Sequence, residues 1–161
     1  METVKLVIFK LKNEEYGIDV NHVISIEKPT GIKPIPRLPH YIKGVTKVRE
    51  QLIPVVDLHW VFYDSEGEMT DSSRLVVLKT NQLNLALLVS EAKELLDVER
   101  DSIKQLGLAA YEKTAYFPGV VNFDDRLITL VKPDELIKGL DGLKEIEEYM
   151  REQEEMQEDP L

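Results

Sequence analysis

His22, His40, His59, Asp57 and the charged pairs Arg49-Glu50 and Asp124-Asp125 are the residues of this chain whose types could do chemistry or recognition. Imidazoles hold metals, but these three are scattered and share no helix face with an acid at ligand spacing, so no metal site is expected. Asp57 closes the apolar run Ile53 to Val56, where an aspartate ordinarily caps the following turn by accepting backbone N–H groups. That capping role is expected of it, not acid–base catalysis. The chain has no glycine-rich phosphate loop, nucleophile elbow or paired catalytic carboxylates. It has no cysteine, which removes disulfides, thiolate zinc sites and cysteine nucleophiles. No catalytic residue, metal or cofactor is therefore expected. The two charged pairs remain. Each lies between apolar runs, so each reads as a hairpin end: Asp124-Asp125 as turn chemistry, Arg49-Glu50 as a solvated turn or a recognition point.

The elements that must carry these turns are written twice. At an offset of 69, Leu6-Val7-Ile8-Phe9-Lys10 reads against Leu75-Val76-Val77-Leu78-Lys79. The same offset aligns Tyr16, Ile18, Val20, Val23 and Ile26 with Leu85, Leu87, Val89, Ala92 and Leu95. At an offset of 75, Gly44, Val45, Leu52, Ile53 and Val56 meet identical residues at Gly119, Val120, Leu127, Ile128 and Val131. Two blocks in the same order describe two halves of about 65 residues, split near the turn-rich stretch Asp64 to Ser73.

Each half reads as short strands. Residues 3–11 and 15–20 are partly alternating apolar runs parted by Lys12-Asn13-Glu14, a hairpin signal. Pro29, Pro34, Pro36 and Pro39 make a connection that is neither helix nor central strand. Tyr41–Val48 and Leu52–Leu58 follow, joined at Arg49-Glu50, and the second half repeats the set as 74–79, 83–89, 117–123 and 126–131. Pro133-Asp134-Glu135 starts a short helix ending near Gly139, and a second short helix is expected over Asp97 to Leu106. Closing each half into a small barrel would remove exposed edges, and two such barrels must share a core because each alone is marginal. Trp60 to Tyr63 are expected as contacts between them.

Composition narrows the function classes. With 161 residues and 43% apolar content the chain suits one ordinary globular domain. No apolar run approaches the roughly 18–20 residues of a membrane span, and no signal-peptide core follows Met1, so a cytoplasmic protein without membrane insertion is expected. The net charge of −10 is concentrated at the end, where residues 141–161 hold nine acids against Lys144 and Arg151. This balance argues against nucleic acid or anionic membrane as the main partner. Leu143, Ile146, Tyr149 or Met150, and Met156 form a thin helical stripe, expected to dock for a turn or two before a disordered acidic end beyond Glu152.

The stretch from Tyr41 through Lys43-Gly44-Val45 and Arg49 to Ile53-Pro54-Val55-Val56-Asp57-Leu58 resembles the signature of CheW-like domains, as do Glu15-Tyr16-Gly17-Ile18-Asp19-Val20, Pro34-x-Pro36-x-x-Pro39 and Asp125-Arg126-Leu127-Ile128. The resemblance spans roughly residues 3–140 and implies a mainly β fold of two SH3-like five-stranded barrels related by internal pseudo-symmetry. As domains it implies one CheW-like unit over 1–140, with 1–66 and 73–140 as the two barrel halves, and 141–161 as an acidic helix and tail. It also implies a role: a non-catalytic adaptor between the cytoplasmic tip of methyl-accepting chemoreceptors and the regulatory domain of a CheA-type histidine kinase, recruited to membrane receptor arrays. In such adaptors the arginine matching Arg49 supports receptor binding, and Val23 and Gly44 line or shape the same region. Lys47 and Glu50 replace the usual Asn and Gly around that arginine, and Ser25 stands where many members carry a glutamate. Without glycine the turn is expected to take another type, or Glu50 to pair with Lys47 or Arg49. Glu27, two residues on from Ser25, is placed to substitute for the missing glutamate. The partner-binding candidates are thus Arg49, Glu50, Lys47, Val23, Ser25, Glu27 and Gly44. The alternative is a diverged CheW-like module serving another kinase or peptide partner outside motility.

Overall fold

The structure, a computed structural model, describes residues 2–105 and 117–158, apart from the side chains of 93 and 156–158. In chain order the elements are β1 (Thr3–Leu11), β2 (Glu14–Asp19), β3 (Val23–Glu27), β4 (Ile42–Val48), β5 (Gln51–Asp57), α1 (Leu58–Tyr63), β6 (Arg74–Leu78), β7 (Leu85–Val89), β8 (Glu91–Glu99), β9 (Ile103–Gln105), β10 (Gly119–Phe123), β11 (Arg126–Leu130), α2 (Pro133–Lys138) and α3 (Leu143–Glu158). The fold is mainly β, as expected. The helix expected over 97–106 is absent as far as 105, and Leu106 lies outside the described residues. Instead β8 pairs along β1, a single 3₁₀ turn spans Arg100–Ser102, and β9 follows. Period-two alternation explains the difference: Ala92 and Val98 are buried while Leu95, Asp97 and Glu99 are exposed.

The repeat is present, but its halves do not form one sheet each. One sheet has six strands in the order β8-β1-β2-β11-β10-β9, the other five in the order β3-β6-β7-β5-β4. The offsets of 69 and 75 carry β1, β2 and β3 onto β6, β7 and β8, and β4, β5 and α1 onto β10, β11 and α2. Each sheet therefore takes two strands from one half and the rest from the other. This corrects the assignment of one barrel to residues 1–66 and one to 73–140. The exchange is sealed by two parallel pairings with equivalent registers, Val55 opposite Ala86 and Leu130 opposite Gly17. Swapping couples the halves covalently to both sheets, which suits units too small to hold a core alone.

Alternation along the strands sorts three cores. Leu6, Ile8, Val121 and Ile128 fill the interior of the six-stranded sheet, and Ile53, Val55, Leu75, Val77, Ala86 and Leu88 that of the other. Their alternates Val76, Leu78, Leu85, Leu87 and Val89 join Phe9, Leu11 and Tyr16 in a larger cluster between the sheets. The shared core expected from the small size of each half is this cluster, and Trp60, Val61, Phe62 and Tyr63 pack against it.

Helix α3 continues past Glu152 to Glu158, so the expected loss of order beyond Glu152 is not what the backbone does. Ile146 and Met150 are buried, Leu143 and Tyr149 pack beside them, and the Met156 side chain lies outside the described set. No helix among the described residues is long and apolar enough to cross a membrane.

Tyr41 ties the start of α3 to the sheet: its hydroxyl donates to the Asp141 carbonyl at 2.5 Å. Burial, then the negative charges of Asp141 and Glu145, push its pKa up to about 12. A phenol with a raised folded pKa contributes stability below its unfolded value near 10, and that contribution is lost as pH rises toward 12. Tyr41→Phe is expected to cost about 1 kcal/mol at pH 7. In a melting series from pH 9 to 12, the gap between the two proteins should close as pH rises. A constant gap would remove the tyrosine from the docking contact.

Candidate functional site

The Arg49-Glu50 turn joins β4 to β5, closed by the pair Val48 and Gln51. Both turn residues have positive φ, 49° and 68°, so the turn is the two-residue left-handed type that favours glycine. The expectation of another turn type is corrected. The same angles recur at Lys12-Asn13 and at Asp124-Asp125, so strand pairing on either side imposes the geometry. Each non-glycine residue held this way costs of order 1 kcal/mol, which the flanking ladder sustains. Arg49, Glu50 and Lys47 are exposed and, among the described residues, make no side-chain hydrogen bond or ion pair. The expected pairing of Glu50 with Lys47 or Arg49 is therefore also corrected. Arg49 leaves the hairpin as an unneutralised guanidinium on a strained, rigid turn.

Gly44 acts one layer back. A Cβ there would stand 2.3 Å from the Lys33 carbonyl oxygen. That contact space is used: Lys33 donates to Val45 O at 2.8 Å and accepts from Val45 N at 2.9 Å, bolting the proline-rich connection onto the β4 edge. Thr46 Oγ1 donates to Thr30 O at 3.3 Å on the same seam. Gly119 does the equivalent work in the second half, with a Cβ 2.6 Å from the Lys104 carbonyl of β9.

Val23, Ser25 and Glu27 lie on β3, at the opposite edge of the same sheet from β4. The two edges meet through packing, because Ile24 of β3 and Val48 of β4 both rest on the buried cluster around Ile53 and Val77. Polar contact does not join them. Glu27 makes no ion pair among the described residues, so it does not take the part expected in place of a glutamate at 25. The Ser25 hydroxyl is buried with no hydrogen-bond partner. Next to them Ile26 is 39% exposed, an apolar residue that the 69-residue offset pairs with exposed Leu95.

Asp57 is a cap, as expected: Oδ1 accepts from Trp60 N at 3.3 Å and Oδ2 from Gly67 N at 3.1 Å. His40 stacks on Trp60, and His59 Nδ1 lies 2.7 Å from the Ser65 carbonyl. Among the described residues no three His, Asp or Glu side chains gather as a metal site would require.

Among the described residues a further ionic cluster, with no role expected from sequence, centres on Arg126. Arg126 of β11 grips Glu15 of β2 through Nε at 3.0 Å and Nη2, and its two Nη atoms also reach Glu94 of β8. The hydrogen bonds from Arg126 hold the Glu15 carboxyl below its usual pKa. Glu15 and Arg126 are more than a hundred residues apart, and only the parallel pairing of β2 with β11 brings them together.

A sequence model described as the CheW-like domain matches residues 5–141. The chemotaxis protein CheW of Klebsiella aerogenes is 30% identical over 134 residues, which is 83% of this chain and 81% of that protein. The chemotaxis protein CheW of Bacillus subtilis is 27% identical over 128 residues, covering 79% and 82% of the two chains. Among solved structures, the scaffolding protein TtCheW from Thermoanaerobacter tengcongensis superposes with a TM-score of 0.77 at 28% identity, covering 89% of this chain and 94% of that one.

Proposed function

The chain belongs to the CheW-like domain family, and from that membership we propose that it is a non-catalytic adaptor coupling methyl-accepting chemoreceptors to a CheA-type histidine kinase. The observation that carries the reading furthest is the Arg49-Glu50 turn, a free guanidinium presented by a rigid hairpin of a fold whose interior is filled by side chains. The relatives named above are chemotaxis proteins and one is a scaffold, which fits binding work. The receptor tip would meet Arg49, Lys47 and Glu50 at the hairpin end, with Val23, Ser25 and Glu27 at the facing edge and Gly44 holding the seam behind. The kinase regulatory domain would bind elsewhere on the sheets, so both partners are held at once in the cytoplasm beneath the receptors. Control then follows from linkage: the adaptor shifts the kinase only by binding one signalling state more tightly than another.

The first test is co-elution with the purified regulatory domain of a CheA-type kinase on a sizing column. A mixed complex supports the adaptor. No complex at tens of micromolar would favour a diverged module with another partner, a reading that the unpartnered Ser25 hydroxyl already suits. Arg49→Glu is expected to weaken receptor co-sedimentation at least tenfold, while the melting temperature stays within about 2 °C, as for an exposed substitution. Unchanged co-sedimentation would take Arg49 out of the interface.

A further inference from the structure

Residues 28–49 carry Lys28, Lys33, Arg37, Lys43, Lys47 and Arg49 and not one Asp or Glu, in a chain whose net charge is −10. In sequence these cations are spread over 22 positions, but the fold gathers them. The two Lys33–Val45 hydrogen bonds and the Thr46–Thr30 contact lay the connection along β4, so Lys33 shares that sheet edge with Lys47 and Arg49, with Lys28 two residues before Thr30 and Arg37 four after Lys33 on the same connection. All but Lys43 are exposed. Lys43 pairs with Glu66, and the other five form no ion pair among the described residues.

We propose that this edge is a docking surface for a carboxylate-rich polypeptide segment of the receptor-side partner, with Lys28, Lys33 and Arg37 extending the contact beyond the hairpin. The inference rests on the adaptor reading, of which it names the partner's chemistry. Five exposed cations without ion pairs on one connection and the hairpin it lies against repel one another, and a segment of carboxylates relieves that repulsion. The surface is continuous with the Arg49 turn, so one partner segment spans both. A phosphate backbone is the poorer fit. Helix α3 reaches the same hairpin, where Arg151 and Glu154 line a groove of about 240 Å³ with Gln51 and Leu52. A long polyanion would run into the acidic face of that helix, while a short polypeptide segment ending at the turn would not.

The test is an amide NMR titration of the full chain with a six-residue oligoglutamate, beside a single-stranded DNA 20-mer. Saturable shifts confined to residues 28–49, weakened at least tenfold in 0.5 M salt and at least tenfold in Lys28→Glu/Lys33→Glu/Arg37→Glu, are expected, with the melting temperature of the variant unchanged. Scattered shifts, equal binding by the variant, or equally tight binding of DNA to the same amides would each overturn the proposal. Receptor co-sedimentation separates it from the reading beneath it. If the triple variant keeps full receptor binding while Arg49→Glu loses it, the stripe fails and the adaptor stands. If the wild-type chain binds neither receptor nor kinase, the adaptor reading falls, and confined oligoglutamate shifts would then support the surface alone.

Discussion

Gly44→Ala melts roughly 6–20 °C below the wild-type chain, because its new methyl group meets backbone and not a movable side chain. The Cβ would lie 2.3 Å from the Lys33 carbonyl oxygen, 2.7 Å from its carbon and 3.0 Å from Pro34 Cα. Relief requires the connection to leave β4, which gives up both Lys33–Val45 hydrogen bonds and strips the cover from Val45 and Ile42. Lost hydrogen bonds and opened packing together cost roughly 3–5 kcal/mol, and each kcal/mol moves the midpoint of a domain this size by about 2–4 °C. Two neighbours calibrate the result. Gly119→Ala, with its Cβ 2.6 Å from the Lys104 carbonyl of a three-residue edge strand, should lose less. Gly31→Ala meets nothing within 4 Å and carries only the strain of φ 69°, of order 1 kcal/mol. Thermal melts in the order Gly44, Gly119, Gly31 are expected. A Gly44 variant melting with wild type would mean that the connection does not press on β4.

The position of that seam was within reach of the sequence, but its mechanism was not. The repeat aligns Gly44 with Gly119, and only the structure shows that each glycine admits a crossing backbone. Strand identity was legible for the same reason that the three cores are: apolar residues alternate with period two, as in Leu75 to Leu78 and Leu85 to Val89. Alternation says which face is buried and nothing about which strand lies alongside. Hence the expectation of one barrel per half, sharing a core, misses the exchange of strands between them. At Asp97 to Leu106 charged residues at helical spacing masked the alternation that pairs β8 with β1. The resemblance implies a recognition role for Arg49, and in the structure its side chain is exposed with no ion pair among the described residues. The structure does not supply the polar partners expected for Glu50 and Glu27, because both carboxylates stay in solvent range on separate edges of the sheet.

Arg126→Gln is the second large loss expected, about 1–2 kcal/mol at pH 7 for a partly exposed cluster, because it leaves Glu15 and Glu94 without their shared cation. The pH dependence follows from Glu15. Its folded pKa lies below the ordinary value of 4.5 through the hydrogen bonds from Arg126. A depressed folded value adds stability that is present above 4.5 and is lost as pH falls through the folded pKa, so wild type and variant should converge in acid. The repeat supplies a sharper test. The offsets carry Arg126 to Gln51 and Glu15 to Asn84, and in the other sheet Asn84 Nδ2 donates to Gln51 Oε1 at 3.0 Å. Both parallel seams are thus latched at the same place, one by an ion pair and the other by a neutral amide pair. Glu94 maps to Ser25, whose buried hydroxyl has no partner, so the ionic latch has three members where the neutral one has two. Arg126→Gln/Glu15→Asn should therefore rebuild the neutral latch and melt above Arg126→Gln alone, and its remaining deficit against wild type should shrink as pH falls below 4.5, because acid removes the Glu15 contribution from wild type only. If the two substitutions add as independent losses, the seams are alike in register only, and the amide pair at Gln51 and Asn84 is a surface contact that latches nothing.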